Sequence, residues 1–503
     1  MPGRAKYMLK VYNSLSKKTE EFRPASSPKV TIYVCGVTVY DFCHLGHART
    51  YAAFDTIRRY LQKKGYSVLF VQNVTDVDDK IINRAKEKGV EPLALAAKFD
   101  ALAREDFATL GIENANAYPK VTETIRGIID FIAVLVKNGA AYQNATGVYF
   151  EIAKFRGYGR LSGQDLELIK RGARIDVDEA KRDPADFALW KLSKPGELGW
   201  DSPWGKGRPG WHIECSAMSK QEIDGTIDIH GGARDLIFPH HENEIAQSES
   251  YDRKPFVKYW LHTGFLTVNG EKMAKSLGNF VTIRDALTKF DPQAIRWFFA
   301  QTHYRSPIDY SEREVGKSAV ALKRAKNSIE EIGAFITSGK GKAGVPDKDF
   351  MANSAEAMKI TYDKMDDDFD TSGAIAAFND LLRLANQKIR EPGFADYEQA
   401  QKTRQFCMDF LGLFGISAGT EAKEDIVRTQ DGKKIRFAKN PDTAALADFA
   451  ASVGAGANAG TGAHEIAILI LETREKARKS KNYVLADKIR DFLKANGIEV
   501  EDK

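Results

Sequence analysis

Residues 29–74 read KVTIYVCGVTVYDFCHLGHARTYAAFDTIRRYLQKKGYSVLFVQNV, and this stretch decides the fold. KVTIYVCG (29–36) is an apolar run closed by glycine, as in a buried strand. After a loop, a helix is predicted from about His47, with Tyr51, Phe54, Ile57 and Leu61 recurring on one face. Gly65 suits the helix end, and SVLFVQNV (67–74) is the next apolar run. Strand, helix, strand in this order predicts a parallel sheet, hence an α/β protein with a Rossmann-like, nucleotide-binding core.

Outward from this unit, helical patterns fill about 77–137. Gly, Pro and Trp crowd 140–210, which reads as an insertion of loops and short strands. LHTGFLTV (261–268) returns to strand character, and about 315–415 is helical and charged, as in a bundle. Residues 421–462, with VGAGANAGTGA, read as a flexible connector, and 463–503 as a helical hairpin.

With 503 residues, 43% hydrophobic and 28% charged, the chain has ample material for several packed domains, which excludes global disorder. No apolar run approaches a membrane span, and Met1–Lys10 lacks the apolar stretch of a leader. Four cysteines, Cys35, Cys43, Cys215 and Cys407, are too few for a disulfide framework, so a reducing cytoplasm is expected. A net charge of +5 does not by itself call for nucleic acid.

Three motifs carry chemistry. His44-Leu45-Gly46-His47 opens the first helix, where free backbone N–H groups and the helix dipole suit a phosphate. Alone, it is equally an ordinary helix start with two solvated histidines. Lys272-Met273-Ala274-Lys275-Ser276 places two ammonium groups and a hydroxyl near Gly278, a set that can grip a leaving pyrophosphate or simply be a solvated basic loop. Finally, Cys35, Cys215 of GRPGWHIEC, and His240 and Glu244 of PHHENE form a zinc-compatible donor set, the last two spaced i, i+4 with Pro239 suiting a first helical turn. From spacing alone the cysteines are also ordinary core residues, and PHHENE a capped surface helix.

HLGH on a β-α-β unit with KMAKS far downstream resembles the class I aminoacyl-tRNA synthetases, whose signatures read HIGH and KMSKS. This chain departs at Leu45 and Ala274. YVCGVTVYDFCHLGHAR (33–49), NVTDVDDKIINRA (73–85), GRPGWHIECSAM (207–218) and DIHGGARDLIFPHHENEIAQ (228–247) resemble the cysteinyl branch over nearly all of 7–320, and more weakly through KMDDDFDTSGAIAAFNDL (364–381) and 473–493.

The resemblance implies that Cys35, Cys215, His240 and Glu244 hold one zinc ion that selects the substrate thiolate. It implies that Gly36, Thr38, Thr75, Trp211 and His230 surround the cysteine. ATP then falls to Gly46, His47, Gly232, Asp235, Lys272, Lys275 and Ser276, accompanied by Mg²⁺, with His44, His47, Lys272 and Lys275 as the catalytic set. Ala233 stands where the family has a third glycine of the GG run. The implied partners are tRNA(Cys), L-cysteine and ATP, for a monomer with no membrane association. The implied division is a catalytic core in two halves (1–118 and 207–260), an inserted connective domain (119–206), a stem-contact region with the KMAKS loop (261–320), a DALR-like helical bundle (321–420), the connector (421–462) and an anticodon-reading region (463–503).

Two rivals share features with this reading. A mycothiol-pathway cysteine ligase has the same front half but lacks a long extension, whereas this chain continues about 180 residues past position 320. A catalytically silent tRNA-binding relative would not need HLGH, KMAKS and four ligands. Cys43 and Cys407 are expected to be packed, and Trp200 and Trp204 to serve loop packing.

Overall fold

The computed structural model describes residues 8–164, 181–273, 278–340, 344–418, 425–428, 434–437, 443–456, 463–496 and 498–501. The chain divides into two units, Met1–Ile416 and Ser417–Lys503.

The first unit begins with an antiparallel pair, β1 (Lys10–Asn13) and β2 (Lys18–Glu21), followed by β3 (Lys29–Val34), α1 (Leu45–Lys63) and β4 (Ser67–Gln72). Helix α1 starts two residues before the expected His47, because His44 itself caps it, and Tyr51, Phe54, Ile57 and Leu61 are all buried. Gly65 takes the left-handed φ of +93° just past the helix, a conformation in which a Cβ is strained. Three helices follow: α2 (Asp79–Lys88), α3 (Pro92–Thr109) and α4 (Val121–Lys137).

The inserted region folds as an antiparallel sheet in chain order, β5 (Ala141–Gln143), β6 (Gly147–Phe150), β7 (Phe187–Leu192) and β8 (Gly207–Pro209). Its Val148, Phe150 and Trp190 share one core with Ile128, Phe131 and Ile132 of α4, and half-buried Trp200 and Trp204 pack against it. The chain re-enters the first layer through α5 (Trp211–Glu222), β9 (Ile227–Ala233), α6 (Glu242–Asp252) and β10 (Val257–Thr263). The sheet order is β10-β9-β3-β4, parallel throughout. Its central strands are buried on both faces, as covering helices require.

Beyond it, β11 (Leu266–Val268), β12 (Glu271–Lys272), α7 (Ile283–Leu287), α8 (Pro292–Ala300) and β13 (Ile308–Tyr310) include a small sheet ordered β12-β11-β13. Four helices close the unit: α9 (Glu312–Ser338), α10 (Lys348–Asp366), α11 (Thr371–Lys388) and α12 (Tyr397–Gly412). Ser311, Asp347, Asp370 and Asp396 cap them in turn, each accepting a backbone N–H of the first turn. Phe350, Phe378, Phe410 and Cys407 are fully buried among them.

In the second unit, β14 (Asp425–Arg428), β15 (Lys434–Phe437) and β16 (Ile498–Glu501) form an antiparallel sheet, with α13 (Thr443–Ser452), α14 (Ala463–Lys479) and α15 (Tyr483–Ala495). Within the span expected as a flexible connector, 421–462, β14, β15 and α13 are regular elements, while 457–462 of VGAGANAGTGA lies outside the described residues. Leu446 and Ala450 of α13 are buried in one core with Ile466, Ile470, Ile489 and Leu493, so this helix is packed. No helix among the described residues is long and apolar enough to cross a membrane.

Candidate active site and metal centre

The site forms beyond the carboxyl ends of the parallel strands, the usual ligand-binding edge of an open α/β sheet. Cys35 follows β3 directly, and its N–H bonds Gly231 O of β9 at 3.1 Å. Cys215 lies in the first turns of α5, and Glu244 in the first turn of α6. Phe238 is extended (φ −136°, ψ 130°) and the backbone is helical from Pro239 onward, running into α6, so Pro239 stands in the first turn after the kink, where it was expected. His240 and Glu244, spaced i, i+4, meet with His240 Nε2 3.0 Å from Glu244 Oε1.

Cys35 Sγ is 3.9 Å from Cys215 Sγ and 3.6 Å from Glu244 Oε1. Donor atoms of Cys35, Cys215, His240 and Glu244 all lie within 4.8 Å of one another, and all four residues are buried. Burial pushes the Glu244 carboxyl well above its usual range. Burial, then the neighbouring Cys215, raises Cys35, while the hydrogen bond with Cys35 lowers Cys215 to about 7. Glu244 Oε2 is buried with no hydrogen-bond partner. Acids crowded together in a dry interior, with an orphaned carboxylate oxygen, fit a divalent cation that displaces their protons. Two thiols, an imidazole and a carboxylate are borderline-soft donors suited to zinc.

A second quartet overlaps the first: Cys35, His230, His241 and Glu244. His230, next to Tyr33 in the β3–β9 register, lies 3.6 Å from Cys35 Sγ and stacks on Trp260 at 4.5 Å. His241 Nε2 is 3.3 Å from Cys35 Sγ, its Nδ1 2.8 Å from His262, and His262 reaches Ser14 Oγ at 2.8 Å. His212 Nδ1 meets His240 Nδ1 at 3.0 Å. Burial lowers the pKa of His212, His230 and His241 far below the ordinary histidine range, so these rings are neutral. The motif reading missed His212, His241 and His262. The first two stand inside the quoted motifs, whereas His262 is placed only by its register beside Gly232.

Around this cluster, Gly36 N donates to Asn73 Oδ1 at 2.7 Å, and a Cβ at Gly36 would fall 1.6 Å from Asn73 O, so only glycine fits. Thr38 bridges Thr75 in parallel register. Thr75 Oγ1 donates to Glu214 Oε2 at 3.2 Å, a buried carboxylate whose burial raises its pKa well above normal. Trp211, 39% exposed, stacks on His240 at 4.4 Å and so walls the cluster on its open side.

The helix start is self-capped. His44 Nδ1 accepts from Gly46 N at 3.1 Å, and His47 Nδ1 accepts from His44 N at 3.3 Å, with the rings stacked 3.7 Å apart. Each neutral ring therefore carries its proton on Nε2, as a donor. Desolvation, then His44 and Lys80, push the half-buried His47 well below its usual pKa. The helix start is tied through backbone to the segment that follows the KMAKS stretch: Leu45 N donates to Val281 O at 3.1 Å and Ile283 N to Cys43 O at 2.9 Å. Met273 Cε lies 3.6 Å from where a Gly46 Cβ would be. Lys272 sits in β12, while Lys275 and Ser276 lie outside the described residues. Gly232, the penultimate residue of β9, packs against Leu236 and His241, and exposed Asp235 follows in a short turn. Ala233 has an ordinary φ of −75°, so the backbone there does not require glycine.

These features match known proteins. The model of the tRNA synthetases class I (C) catalytic domain matches residues 21–320, and that of the DALR domain residues 361–418. The structure of Mycobacterium tuberculosis methionyl-tRNA synthetase in complex with methionyl-adenylate is similar in fold, with a TM-score of 0.61 at 16% identity over 77% of this chain and 90% of that one. Fold and motif arrangement are those of a class I aminoacyl-tRNA synthetase. Cysteine–tRNA ligases of Thermococcus onnurineus and Pelotomaculum thermopropionicum are each 47% identical over 98% of this chain, covering 97% and 98% of their own lengths. The chain belongs to the cysteine–tRNA ligase family.

Proposed function

We propose that this chain activates L-cysteine with ATP to cysteinyl-adenylate, releasing pyrophosphate, and then transfers the cysteine to the 3′ end of tRNA(Cys). The observation that carries this reading is the buried Cys35/Cys215/His240/Glu244 quartet beside the HLGH helix start. Zinc held there supplies a soft Lewis acid that prefers a thiolate to a hydroxyl, the one atom by which cysteine differs from serine.

The remaining work falls to the chain's own groups. Gly36, Thr38, Thr75, Trp211 and His230 confine the amino acid so that its carboxylate faces the α-phosphorus. The carboxylate is already a nucleophile, so no protein base is needed, and catalysis is positioning and charge stabilisation. His44 and His47 donate from Nε2 to the triphosphate. Gly232 and Asp235 hold the ribose. Lys272 and Lys275, with Ser276, stabilise the departing pyrophosphate, which Mg²⁺ accompanies as part of the nucleotide substrate. The second unit, rich in Arg474, Lys476, Arg478, Lys479, Lys481 and Lys488, serves tRNA. We assign a cytoplasmic monomer.

Cysteine-dependent ATP–pyrophosphate exchange tests the first step, and charging of tRNA(Cys) the second. Exchange without charging would leave a cysteine-activating ligase with another acceptor. Binding of tRNA with no exchange would reject the enzyme.

A further inference from the structure

Arg49 follows the HLGH motif on α1 and is 2% exposed. Buried guanidinium groups ordinarily meet a carboxylate. Among the described residues none ion-pairs with Arg49, and burial lowers its pKa to about 10. Its partners are backbone carbonyls. Nη1 donates to Phe265 O at 3.2 Å, and Nη2 to Ser306 O, with His303 O and Tyr304 O at 3.4 and 3.5 Å.

These carbonyls come from two segments with one destination. Phe265 immediately precedes β11, and 303–306 leads into β13, which pairs with β11. The segments touch directly: Gly264 N donates to Tyr304 O at 2.8 Å, Ile308 N to Phe265 O at 2.9 Å, and a Cβ at Gly264 would lie 2.3 Å from Ser306 O. Strand β11 also pairs with β12, which carries Lys272 into the lysine loop (Thr267↔Lys272). Arg49 therefore sits two residues beyond His47 on one side and, on the other, holds the carbonyls ahead of β11 and β13, next to the β12 strand that carries Lys272. Its planar, forked donor set spans carbonyls from both segments, which a lysine ammonium cannot do.

We propose that Arg49 is a positioning residue that fixes β11, and through it Lys272 of β12, relative to the HLGH helix start, so that the two halves of the pyrophosphate grip are in register when charge develops on the leaving group. This rests on the assignment of Lys272 to the departing pyrophosphate. It adds a coupling between the two motifs through a residue that touches neither substrate.

The test is a double-mutant cycle in ATP–pyrophosphate exchange on the full-length, zinc-loaded protein, with Arg49→Lys and Lys272→Ala. Arg49→Lys keeps the charge and most of the volume. It should lower kcat by ~10²-fold, the scale for a small misplacement of catalytic groups, while cysteine KM and zinc content stay unchanged. In a Lys272→Ala background the same change should cost less than about threefold, because the group it positions is gone. Equal losses in both backgrounds would overturn the coupling while leaving the lysine assignment intact. A rise in cysteine KM matching the fall in kcat, or loss of zinc, would also overturn it and make Arg49 a general structural residue. If Lys272→Ala alone left exchange unchanged, the lysine assignment itself would fall, and the coupling with it.

Discussion

The metal cluster and the phosphate grip lie side by side yet are built in opposite ways. The donors of the quartet come from the end of β3, from α5, and from the stretch that runs into α6, and all are buried, Cys35 and Cys215 in one core with Tyr33, Ile227 and Trp260. The phosphate grip is a helix start with half-buried histidines, paired through backbone with the segment at 281–283 that follows the KMAKS stretch. On the proposed reading, the first site chooses by the chemistry of its donors, and the second acts through charge, where it matters once a leaving group develops. Substitutions in the first should therefore cost metal and recognition together, and in the second rate alone.

The largest break should come from Cys215→Ser. Purified wild-type protein should carry about one zinc per chain, as one four-ligand site requires. The variant should lose most of it and, with it, cysteine-dependent exchange. Metal retained at full stoichiometry would shift the weight to the overlapping quartet with His230 and His241. Next, Lys275→Ala should slow exchange by roughly 10²–10³ with cysteine affinity nearly unchanged, the scale of one lost electrostatic contact. Steady-state kcat and KM, measured separately, check the split.

Removing Ser417–Lys503 should spare exchange but reduce charging of tRNA(Cys) by more than about tenfold at physiological salt, since phosphate contacts weaken as salt rises. Equal charging by the shortened, folded protein would contradict the division of labour. The smallest effect belongs to Cys43→Ala. Burial pushes this thiol up to about 12, and it lies outside both quartets. The change should leave zinc content and exchange unaltered and cost less than about 2 kcal/mol in a melting experiment.

Legibility in the sequence followed chemistry. The β-α-β unit could be read because a buried parallel strand is a continuous apolar run and α1 keeps its helical stripe. Cys35, Cys215, His240 and Glu244 stood out because their side chains together form a zinc-compatible donor set, although spacing alone did not separate the cysteines from ordinary core residues. His262 was invisible because strand register, which no local pattern records, brings it beside Gly232. The i, i+4 pairing of His240 and Glu244 could be read from spacing because the backbone is helical from Pro239 onward, whereas the extended kink at Phe238 just before it leaves no local pattern. The packed helix α13 was hidden by alanine and glycine content that reads as linker, although Leu446 and Ala450 mark its buried face.

The central claim is that a metal in the buried quartet reads the thiol of the substrate. The most direct measurement replaces zinc with cobalt and follows the sulfur-to-cobalt charge-transfer absorption during titration with L-cysteine and, separately, L-serine. The account predicts that the band starts at the intensity of two thiolates, from Cys35 and Cys215, gains about half again with cysteine, as a third thiolate requires, and does not change with serine. A protein that binds cobalt and activates cysteine while its spectrum ignores both amino acids would contradict it.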